Sequence, residues 1–363
     1  MSIIINLSRI GQQGTGMAIY SKQVVHCLSK YFKRLSVVSS DTQYQDDALE
    51  LIHVSSYLSI TPKLSKIRPI LWLIYAYFFF PKNRGYILST THHTIPRARK
   101  QIVTIHDLRP FFYPDNFLQK IYFQYLLPRA VRKIDGILTV SESTKKLLIK
   151  HYKIEPKNIQ VVHNCVDVTK FKPIDSTKKL KEKPYLLMVG ATWKHKNAHE
   201  VLDMNICWKD KYNLKILAGN GKYKQQLIEL SQKYGLTNKV EFIDYLNENE
   251  LISIYQRAVA LVYPSIMEGF GIPPIEAMAC QVPVIVSDIP VFRENYVDAP
   301  IYITLNNQDS WRIAFQQLTN KEYIEEKLRL GQQKSHEYSK ERMCNELFHG
   351  ITKICPKIKE ELL

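Results

Sequence analysis

Short apolar runs alternate with segments of helical periodicity along most of this chain. In the first half, strands are predicted at residues 3–7, 36–39, 101–105, 136–140 and 159–162. In the second half, strands are predicted at residues 185–189, 214–218, 240–243, 260–263 and 284–287. Strands that alternate with helices in this way predict parallel sheets covered by helices on both faces.

Two helices can be placed beside these strands. Ala18, Val24, Val25 and Leu28 recur at helical spacing and predict a helix over residues 17–31. Ser141 follows the fourth predicted strand, and its hydroxyl can cap a helix over residues 144–151. From Trp311 onward the pattern is helical only.

A polar, charged segment divides the two halves. Residues 171–184, FKPIDSTKKLKEKP, suit a linker between domains. A chain of 363 residues is also long for a single core. We therefore expect an α/β protein with two Rossmann-like domains and a cleft between them, over residues 1–170 and 171–340.

Positive charge is concentrated in the first half. Residues 1–170 contain 24 Lys or Arg against 10 Asp or Glu, a net charge of +14, whereas residues 171–363 contain 26 against 24, a net charge of +2. A basic half attracts nucleic acid, an acidic membrane leaflet or phosphorylated ligands. A lysine-rich, solvated surface would give the same composition.

The cysteines and the N-terminus bear on the cellular compartment. Six cysteines lie far apart without a Cys-x-x-Cys pair, which argues against a zinc site or a disulfide framework and fits a reducing cytoplasm. Several are expected to act as small apolar core residues. The N-terminal MSIIINLSRI lacks a basic region before its apolar run, so it resembles a first strand more than a signal peptide.

The longest apolar stretch is residues 69–80, PILWLIYAYFFF. It is too short to span a bilayer. Lysine and arginine residues flank it on both sides, so it could lie in a membrane interface. A buried helix or strand of the first domain is the alternative.

Glycines form a loop after the first predicted strand. Gly11, Gly14 and Gly16 precede the helix at 17–31, where main-chain amides can hold an anion. Their spacing is G-x-x-G-x-G, which differs from the dinucleotide-binding G-x-G-x-x-G and weakens an NAD interpretation. A plain tight turn is the alternative.

His106 and Asp107 end the strand predicted at 101–105. Ligands of open α/β sheets bind beyond the carboxyl ends of strands. A histidine there can donate to a hydroxyl or phosphate, and the carboxylate beside it can orient acceptor hydroxyls. A core histidine satisfied by backbone groups is the alternative. His92 and His93 lie in no motif and are not assigned a role.

A basic turn follows the first strand of the second half. It contains Gly190, Lys194, His195, Lys196 and Asn197, and a helix is predicted from about residue 198. A lysine in such a turn can reach a diphosphate as a point charge, and the helix terminus adds to the attraction. Solvated lysines are the alternative.

The strongest candidate segment runs from Tyr263 to Ala279. Glu268 lies in its glycine-rich loop, and Glu276 is expected in the first turn of the following helix. Glycines let main-chain amides approach an anion, and Pro274 suits the start of a helix. A carboxylate at Glu276 could hydrogen-bond a vicinal diol, or it could simply interact with the helix dipole.

With these residues assembled, the chain resembles the retaining glycosyltransferases of family 4, which have the GT-B fold. The pair Glu268 and Glu276 matches the E-x7-E motif of that family. Further matching segments are Lys196-Asn197, Leu217-Ala-Gly219-Asn-Gly221, Thr139-Val-Ser141-Glu, and Val162-His163-Asn164 before Val166-Asp167.

The resemblance implies a role for each matching residue. Glu268 would hydrogen-bond the donor sugar, Glu276 the ribose hydroxyls, and Lys196 the diphosphate leaving group. His106 would lie near the reacting sugar. The remaining implied donor contacts are Gly14, Gly16, Gly190, Asn197 and the amides of Gly269, Phe270 and Gly271. Asp107 is implied on the acceptor side, and a last helix over 341–363 would pack on the first domain.

Two positions depart from the family pattern. Many relatives have an arginine where this chain has Ala191, so Lys194 or His195 would have to compensate, or Lys196 would act alone. The usual Asn-Gly before Val-Asp is Asn164-Cys165 here. Both departures concern how the diphosphate is bound, and neither changes the E-x7-E segment.

The resemblance implies a retaining hexosyltransferase that uses a nucleotide diphosphate sugar, with no cofactor and no metal. GDP-mannose and UDP-hexoses are the favoured donors. The basic first half suits a glycan or polyprenyl-diphosphate-linked acceptor at an anionic inner membrane surface. We therefore expect a cytoplasmic or peripheral enzyme of surface-polysaccharide synthesis. A sugar-nucleotide epimerase of the same architecture is the first alternative, and a basic nucleic-acid-binding protein is the second. A nucleic-acid partner is not expected, because the basic residues are scattered and no binding motif accompanies them.

Overall fold

Two parallel sheets, each with its own helices, make up the chain. The computed structural model describes residues 2–10, 16–32, 34–41, 49–58, 68–82, 85–98, 100–174 and 183–361. Unit 1 comprises Met1–Asn164 and Lys340–Leu363, and unit 2 comprises Cys165–Ser339. The last helical segment of the chain is therefore part of unit 1.

The strands of unit 1 are β1 Ser2–Asn6, β2 Leu35–Ser39, β3 Leu49–His53, β4 Gly85–Ser89, β5 Gln101–Ile105, β6 Gly136–Thr139 and β7 Ile159–Val161. Among the described residues they form one parallel sheet in the order β3-β2-β1-β4-β5-β6-β7. All residues of β2, β5 and β6 are buried, as expected for parallel strands covered on both faces. The order reverses between β1 and β4, which is where ligands of such sheets bind.

The first helices of unit 1 are α1 Gly16–Ser29, α2 Arg68–Phe78, α3 Arg109–Phe112, α4 Phe117–Ile121, α5 Leu127–Val131 and α6 Glu142–Leu147. Short π-helical turns at Tyr122–Leu126 and Leu148–Tyr152 continue α4 and α6. Ser141 caps α6 as predicted, because its hydroxyl oxygen accepts a hydrogen bond from the Thr144 amide at 3.1 Å.

The strands of unit 2 are β8 Tyr185–Val189, β9 Asn213–Leu217, β10 Val240–Ile243, β11 Ala260–Tyr263, β12 Val284–Ser287 and β13 Ile301–Ile303. Within residues 165–174 and 183–339 they form a parallel sheet in the order β10-β9-β8-β11-β12-β13. The helices of unit 2 are α7 Ala198–Asp203, α8 Lys222–Lys233, α9 Glu248–Arg257, α10 Ile272–Ala279, α11 Pro290–Tyr296, α12 Gln308–Gln317 and α13 Lys321–Glu337. Trp208, Trp311 and Phe315 belong to the core of this unit.

The last helix, α14 Lys340–Ile354, returns to unit 1. The Tyr31 ring stacks on Phe348 with centroids 4.5 Å apart, and the Tyr31 hydroxyl donates to Asn345 at 2.9 Å. A disulfide joins Cys27 of α1 to Cys344 of α14. The expectation of no disulfide is therefore wrong for this pair, and the cysteines no longer argue for a reducing compartment. Spacing carried no signal, because 317 positions separate the two residues.

Every strand predicted from an apolar run is present, with its ends shifted by at most one residue. Three further strands were not predicted. β3 lies at the sheet edge and is only partly buried, and β13 has three residues. β4 has a buried apolar run of its own, Tyr86–Leu88, which the prediction omitted.

The apolar stretch at 69–80 lies mostly in α2. Trp72, Ala76 and Phe80 are buried in the core of unit 1, as the buried-helix alternative predicts. Phe78 and Phe79 are 69% and 71% exposed. No helix within the described ranges combines the length and apolarity needed to cross a membrane.

Candidate functional site

Two adjacent strands bring the candidate residues of unit 2 together. β8 and β11 lie side by side, and the remaining strands continue outward from them on either side. The basic turn with Lys196 follows β8, and the glycine-rich loop with Glu268 follows β11. The Ile266 amide donates to the His195 carbonyl at 2.8 Å, which joins the two loops. The site therefore lies where the strand order reverses, as ligand sites of parallel sheets do.

Lys196 connects the two loops through its side chain. Its ammonium group donates to the Glu268 carboxylate at 2.6 Å and to the Tyr263 hydroxyl at 2.5 Å. The side chains of Lys196 and Glu268 are 15% and 11% exposed, so this ion pair is largely shielded from water. Tyr263 was part of the predicted segment but had no assigned role.

Glu268 is held in its charged form. Burial alone would raise the pKa of its carboxyl, but the Lys196 ammonium and the His195 ring outweigh burial and lower that pKa. His195 thus lies within electrostatic reach of Glu268, whereas the Lys194 side chain is exposed. Of the two residues considered in place of the missing arginine, His195 is the one placed beside the site.

The turn that carries Lys196 is fixed by a buried carboxylate. Asn197 has a left-handed backbone with φ of 61°, and its side-chain amide donates to Glu200. Glu200 also accepts hydrogen bonds from the Asn306 amide at 2.6 Å and the Trp311 indole at 3.0 Å. Sequence reasoning missed Glu200, because its only signal is an acidic residue in the first turn of α7.

The residues after β8 explain one departure from the family pattern. Gly190 has φ of 78°, a left-handed conformation that favours glycine. The Ala191 side chain is fully buried in the core of unit 2. A charged arginine could not occupy that position in its present orientation without entering the core.

The glycine-rich loop is held by residues of α11. The Phe270 carbonyl accepts hydrogen bonds from the Asn295 side chain at 3.0 Å and from the Tyr296 hydroxyl at 3.2 Å, and the same hydroxyl donates to the Gly271 carbonyl. Gly269 and Phe270 are buried. Gly271 has φ of 94°, and a Cβ there would lie 2.7 Å from the Phe292 ring, so only glycine fits.

Glu276 is buried in α10, and one of its carboxylate oxygens accepts a hydrogen bond from a neighbouring helix. The prediction that it lies in the first helical turn is wrong, because α10 begins at Ile272 and Glu276 is its fifth residue. Its carboxylate accepts a hydrogen bond from the Tyr255 hydroxyl at 2.8 Å. Burial, more than this hydrogen bond can offset, raises the pKa of Glu276 to about 7. Tyr255 of α9 has no sequence signal.

In unit 1, His106 lies at the carboxyl end of β5. Its Nε2 lies 2.9 Å from the Thr90 carbonyl, and its ring packs edge-on against Tyr20 with centroids 4.7 Å apart. Burial lowers the pKa of His106 and outweighs the opposing effects of that carbonyl and of Asp107. The backbone partner matches the core-histidine alternative, yet His106 as a residue is only partly buried. The Asp107 carboxylate accepts from the Arg109 amide at 2.8 Å.

The predicted glycine loop is described only at its end. Gly16 is the first residue of α1 and is exposed. Gly11 and Gly14 lie outside the described residues. Among the side chains that the structure describes, no group of three or more His, Cys, Asp or Glu residues is placed to hold a metal ion.

Two family models match the chain. Residues 170–336 match the model described as glycosyl transferases group 1. Residues 69–170 match the model described as glycosyltransferase family 4. The two matches meet at residue 170, close to the boundary between the two units.

Curated relatives cover most of the chain. The O-antigen chain mannosyltransferase RfbU of Salmonella typhimurium is 39% identical over 324 residues, which cover 87% of this chain and 90% of that protein. The capsular polysaccharide biosynthesis glycosyltransferase CapM of Staphylococcus aureus is 25% identical over 331 residues, covering 83% and 84%.

Solved structures share the fold at low sequence identity. WaaG, a glycosyltransferase involved in lipopolysaccharide biosynthesis, has a TM-score of 0.75 at 14% identity, over 97% of this chain and 99% of that chain. HepE of Anabaena in complex with UDP-glucose has a TM-score of 0.76 at 14% identity, with the same coverage. These structures support the α/β fold of two Rossmann-like units.

Proposed function

The chain belongs to glycosyltransferase family 4, and from this premise we propose that it transfers mannose from GDP-mannose to a lipid-linked glycan during bacterial surface-polysaccharide synthesis. The observation that carries the proposal is the assembly of Lys196, Glu268 and Glu276 at one edge of the unit 2 sheet. The 39% identical O-antigen mannosyltransferase favours mannose over another hexose. Membership of the family leaves no support for the epimerase alternative.

In this proposal the two carboxylates and the lysine divide the work of donor binding. Glu276 accepts hydrogen bonds from the ribose hydroxyls, and Glu268 accepts them from hydroxyls of the mannose. Lys196 moves from Glu268 towards the diphosphate as the donor binds. Before the donor binds, hydrogen bonds to Glu268 and Tyr263 hold the Lys196 ammonium group beside the glycine-rich loop.

The proposed reaction proceeds with retention of configuration. The bond between the anomeric carbon and the β-phosphate oxygen breaks, and the acceptor hydroxyl attacks the same face of the sugar. Its proton passes to the departing phosphate oxygen, so no strong protein base is needed. Lys196 stabilises the growing negative charge on the diphosphate, which is worth about 3 kcal/mol for one such donor. Because Lys196 supplies this charge, we expect activity without a divalent metal.

The acceptor is proposed to be presented at an anionic membrane surface, which unit 1 would face. Phe78, Phe79, Phe117 and Leu118 are between 69% and 76% exposed. Lys82 and Lys120 follow these two apolar pairs closely in sequence. Exposed aromatic and aliphatic side chains beside cations suit the interface of an anionic leaflet.

A thermal-shift screen across nucleotide sugars tests the donor assignment. GDP-mannose should raise the melting temperature of the wild type, and it should leave that of Glu276→Gln unchanged. Glu322→Gln, an exposed glutamate of α13, is the matched control and should respond like the wild type. A response to UDP-sugars alone would overturn the donor, and an undiminished response of Glu276→Gln would overturn the site.

Vesicle sedimentation tests the membrane assignment. The protein should sediment with phosphatidylglycerol vesicles, and the double substitution Phe117→Ser and Leu118→Ser should weaken this. Tyr245→Ser removes a side chain that is 74% exposed in unit 2 and serves as the control. Equal sedimentation of all three proteins would remove the Phe117 and Leu118 pair as a membrane-facing surface.

A further inference from the structure

Aromatic and basic side chains from four separate segments meet beside the carboxyl edge of the unit 1 sheet. The His92 ring stacks on His93 with centroids 4.2 Å apart and lies 5.6 Å from the Tyr122 ring. Trp72 packs edge-on against His93 at 5.0 Å, and the Arg9 guanidinium lies 5.9 Å from the Trp72 ring. Arg9, Trp72, His92, His93 and Tyr122 are called the Arg9 cluster below.

The positive charge of Arg9 acts on two other members of the cluster. Burial, followed by the charges of Arg9 and His106, lowers the pKa of His92 to about 3. Burial raises the pKa of Tyr122, and the positive charge of Arg9 opposes that shift. At neutral pH the His92 ring and the Tyr122 hydroxyl are therefore uncharged and retain protons that they can donate beside a permanent cation.

The cluster is both fixed and accessible. A guanidinium nitrogen of Arg9 donates to the Leu58 carbonyl at 3.2 Å, and the buried Trp72 donates to the Ser8 hydroxyl at 3.0 Å. Arg9, His92, and Tyr122 each retain partly exposed surface. A guanidinium held in place with donors beside it is suited to a phosphate group, because its planar fork matches phosphate oxygens and neutral donors add to the contact.

The position of the cluster in the fold also indicates a ligand. Arg9 follows β1 and His92 follows β4, and the strand order of the unit 1 sheet reverses between these two strands. Ligands of parallel sheets bind at this point. His106, which follows the neighbouring β5, interacts electrostatically with His92, so the cluster adjoins the histidine assigned to the reaction.

We propose that Arg9, with His92 and Tyr122, binds a phosphate group of the acceptor. This rests on the proposed function, in which the acceptor is a glycan linked through a diphosphate to a lipid. The Arg9 cluster would recognise the diphosphate and so position the glycan hydroxyl, while the glycan itself would contact other residues. Arg9 is then a determinant of acceptor class rather than of donor choice.

The first experiment compares two acceptors that carry the same glycan. One is linked through a diphosphate to a polyprenyl chain, and the other is an alkyl glycoside without phosphate. Arg9→Gln should raise the KM for the diphosphate acceptor about 10- to 100-fold, the range for one lost charge-assisted hydrogen bond. The KM for the alkyl glycoside and the KM for GDP-mannose should stay unchanged.

Two controls keep this result interpretable. Arg34→Gln removes an exposed arginine that immediately precedes β2, at the amino edge of the same sheet, and should leave both acceptor KM values unchanged. Tyr122→Phe should raise the KM for the diphosphate acceptor by a smaller factor than Arg9→Gln does. An equal loss by Arg9→Gln for both acceptors, or a raised KM for GDP-mannose, overturns the proposal.

The second experiment needs no transferase activity. Pyrophosphate is titrated calorimetrically into Lys196→Ala, which lacks the lysine assigned to the donor diphosphate, and into Lys196→Ala combined with Arg9→Gln. The single variant should bind pyrophosphate, and the double variant should bind it at least about 10-fold more weakly. Equal binding by the two, or none by the single variant, overturns the proposal. If the wild type uses neither acceptor but this difference persists, the proposed function fails and the phosphate site stands.

Discussion

A partly buried glutamate of unit 1 and a buried glutamate of unit 2 have pKa values shifted in opposite directions. In unit 1, Glu346 of α14 accepts hydrogen bonds from the His163 amide at 2.8 Å, the His163 ring at 3.0 Å and Arg342 at 2.8 Å. Burial would raise the pKa of Glu346, but these donors hold it at about 2. In unit 2, Glu276 has the Tyr255 hydroxyl as its described donor, and its pKa is raised to about 7.

The difference separates a structural carboxylate from one kept for a ligand. Donors surround Glu346, so its charge is satisfied within the protein and fastens α14 to the end of β7. Among the residues that the structure describes, the buried Glu276 carboxylate has the Tyr255 hydroxyl as its donor, which is unfavourable for folding but leaves oxygens for the hydroxyls of a ligand. Glu268 lies between these cases, because its partner Lys196 is itself proposed to move to the donor.

The largest expected effect comes from breaking the ion pair between Lys196 and Glu268. Lys196→Ala removes the cation at the leaving group and should lower kcat with GDP-mannose about 100- to 1,000-fold. It also leaves the buried Glu268 carboxylate without its cation, so the melting temperature should fall as well. Lys194→Ala, an exposed lysine of the same turn, is the control for steady-state assays. Equal losses from both substitutions would contradict the assignment.

Glu346→Gln tests the structural half of the comparison. A lowered carboxyl pKa contributes stability that is present above the unfolded pKa near 4.5 and is lost as the pH falls towards the folded pKa. The substitution should therefore lower the free energy of unfolding by about 3 kcal/mol near pH 7. Urea unfolding should show this gap closing on acidification. Glu326→Gln, from an exposed pair with Arg329, should leave the unfolding curve unchanged, and a constant gap across pH would refute the role of Glu346.

Glu276→Gln tests the ligand-binding half of the comparison, and its effect on stability should have the opposite sign. A raised carboxyl pKa destabilises the fold only above the unfolded pKa, and the destabilisation grows until the pH passes the folded pKa near 7. The uncharged variant should be more stable than the wild type by about 2 kcal/mol near pH 8, and equally stable near pH 5. The effect is smaller because the glutamine amide must itself find hydrogen bonds in a buried position. Calorimetric melting at both pH values measures it, and a destabilised variant at pH 8 would contradict the comparison.

The residues of the candidate site in unit 2 stand out in the sequence far more than those of the Arg9 cluster, for a physical reason. Glu268, Gly271 and Glu276 lie in one loop and the helix after it, so their spacing directly encodes their geometry. Arg9, His92 and Tyr122 come from segments that are distant in sequence and converge only through the order of the strands. No motif surrounds His92, so local sequence gives it no role.

The same distinction holds for the fold. Strands with continuous apolar runs, such as β5 and β11, could be predicted almost to the residue because both faces are buried. β3 could not, because an edge strand that is partly exposed loses that pattern. Tyr255 and the Cys27–Cys344 disulfide depend on contacts across the fold, so local sequence carries no signal for them. Glu200 depends on such contacts too, and its one local signal, an acidic residue in the first turn of α7, does not reveal them.

The return of α14 to unit 1 has a consequence for synthesis on the ribosome. Unit 1 ends its first segment at Asn164, and the helix that supplies Cys344 and Glu346 is made only after the 175 residues of Cys165–Ser339. At ordinary translation rates of about 5–20 residues per second, that interval lasts roughly 10 to 35 seconds. During this time the surface of α1 and β7 that α14 covers is open, while unit 2 is synthesised without interruption. A nascent chain should therefore complete unit 2 before unit 1, although unit 1 is begun first.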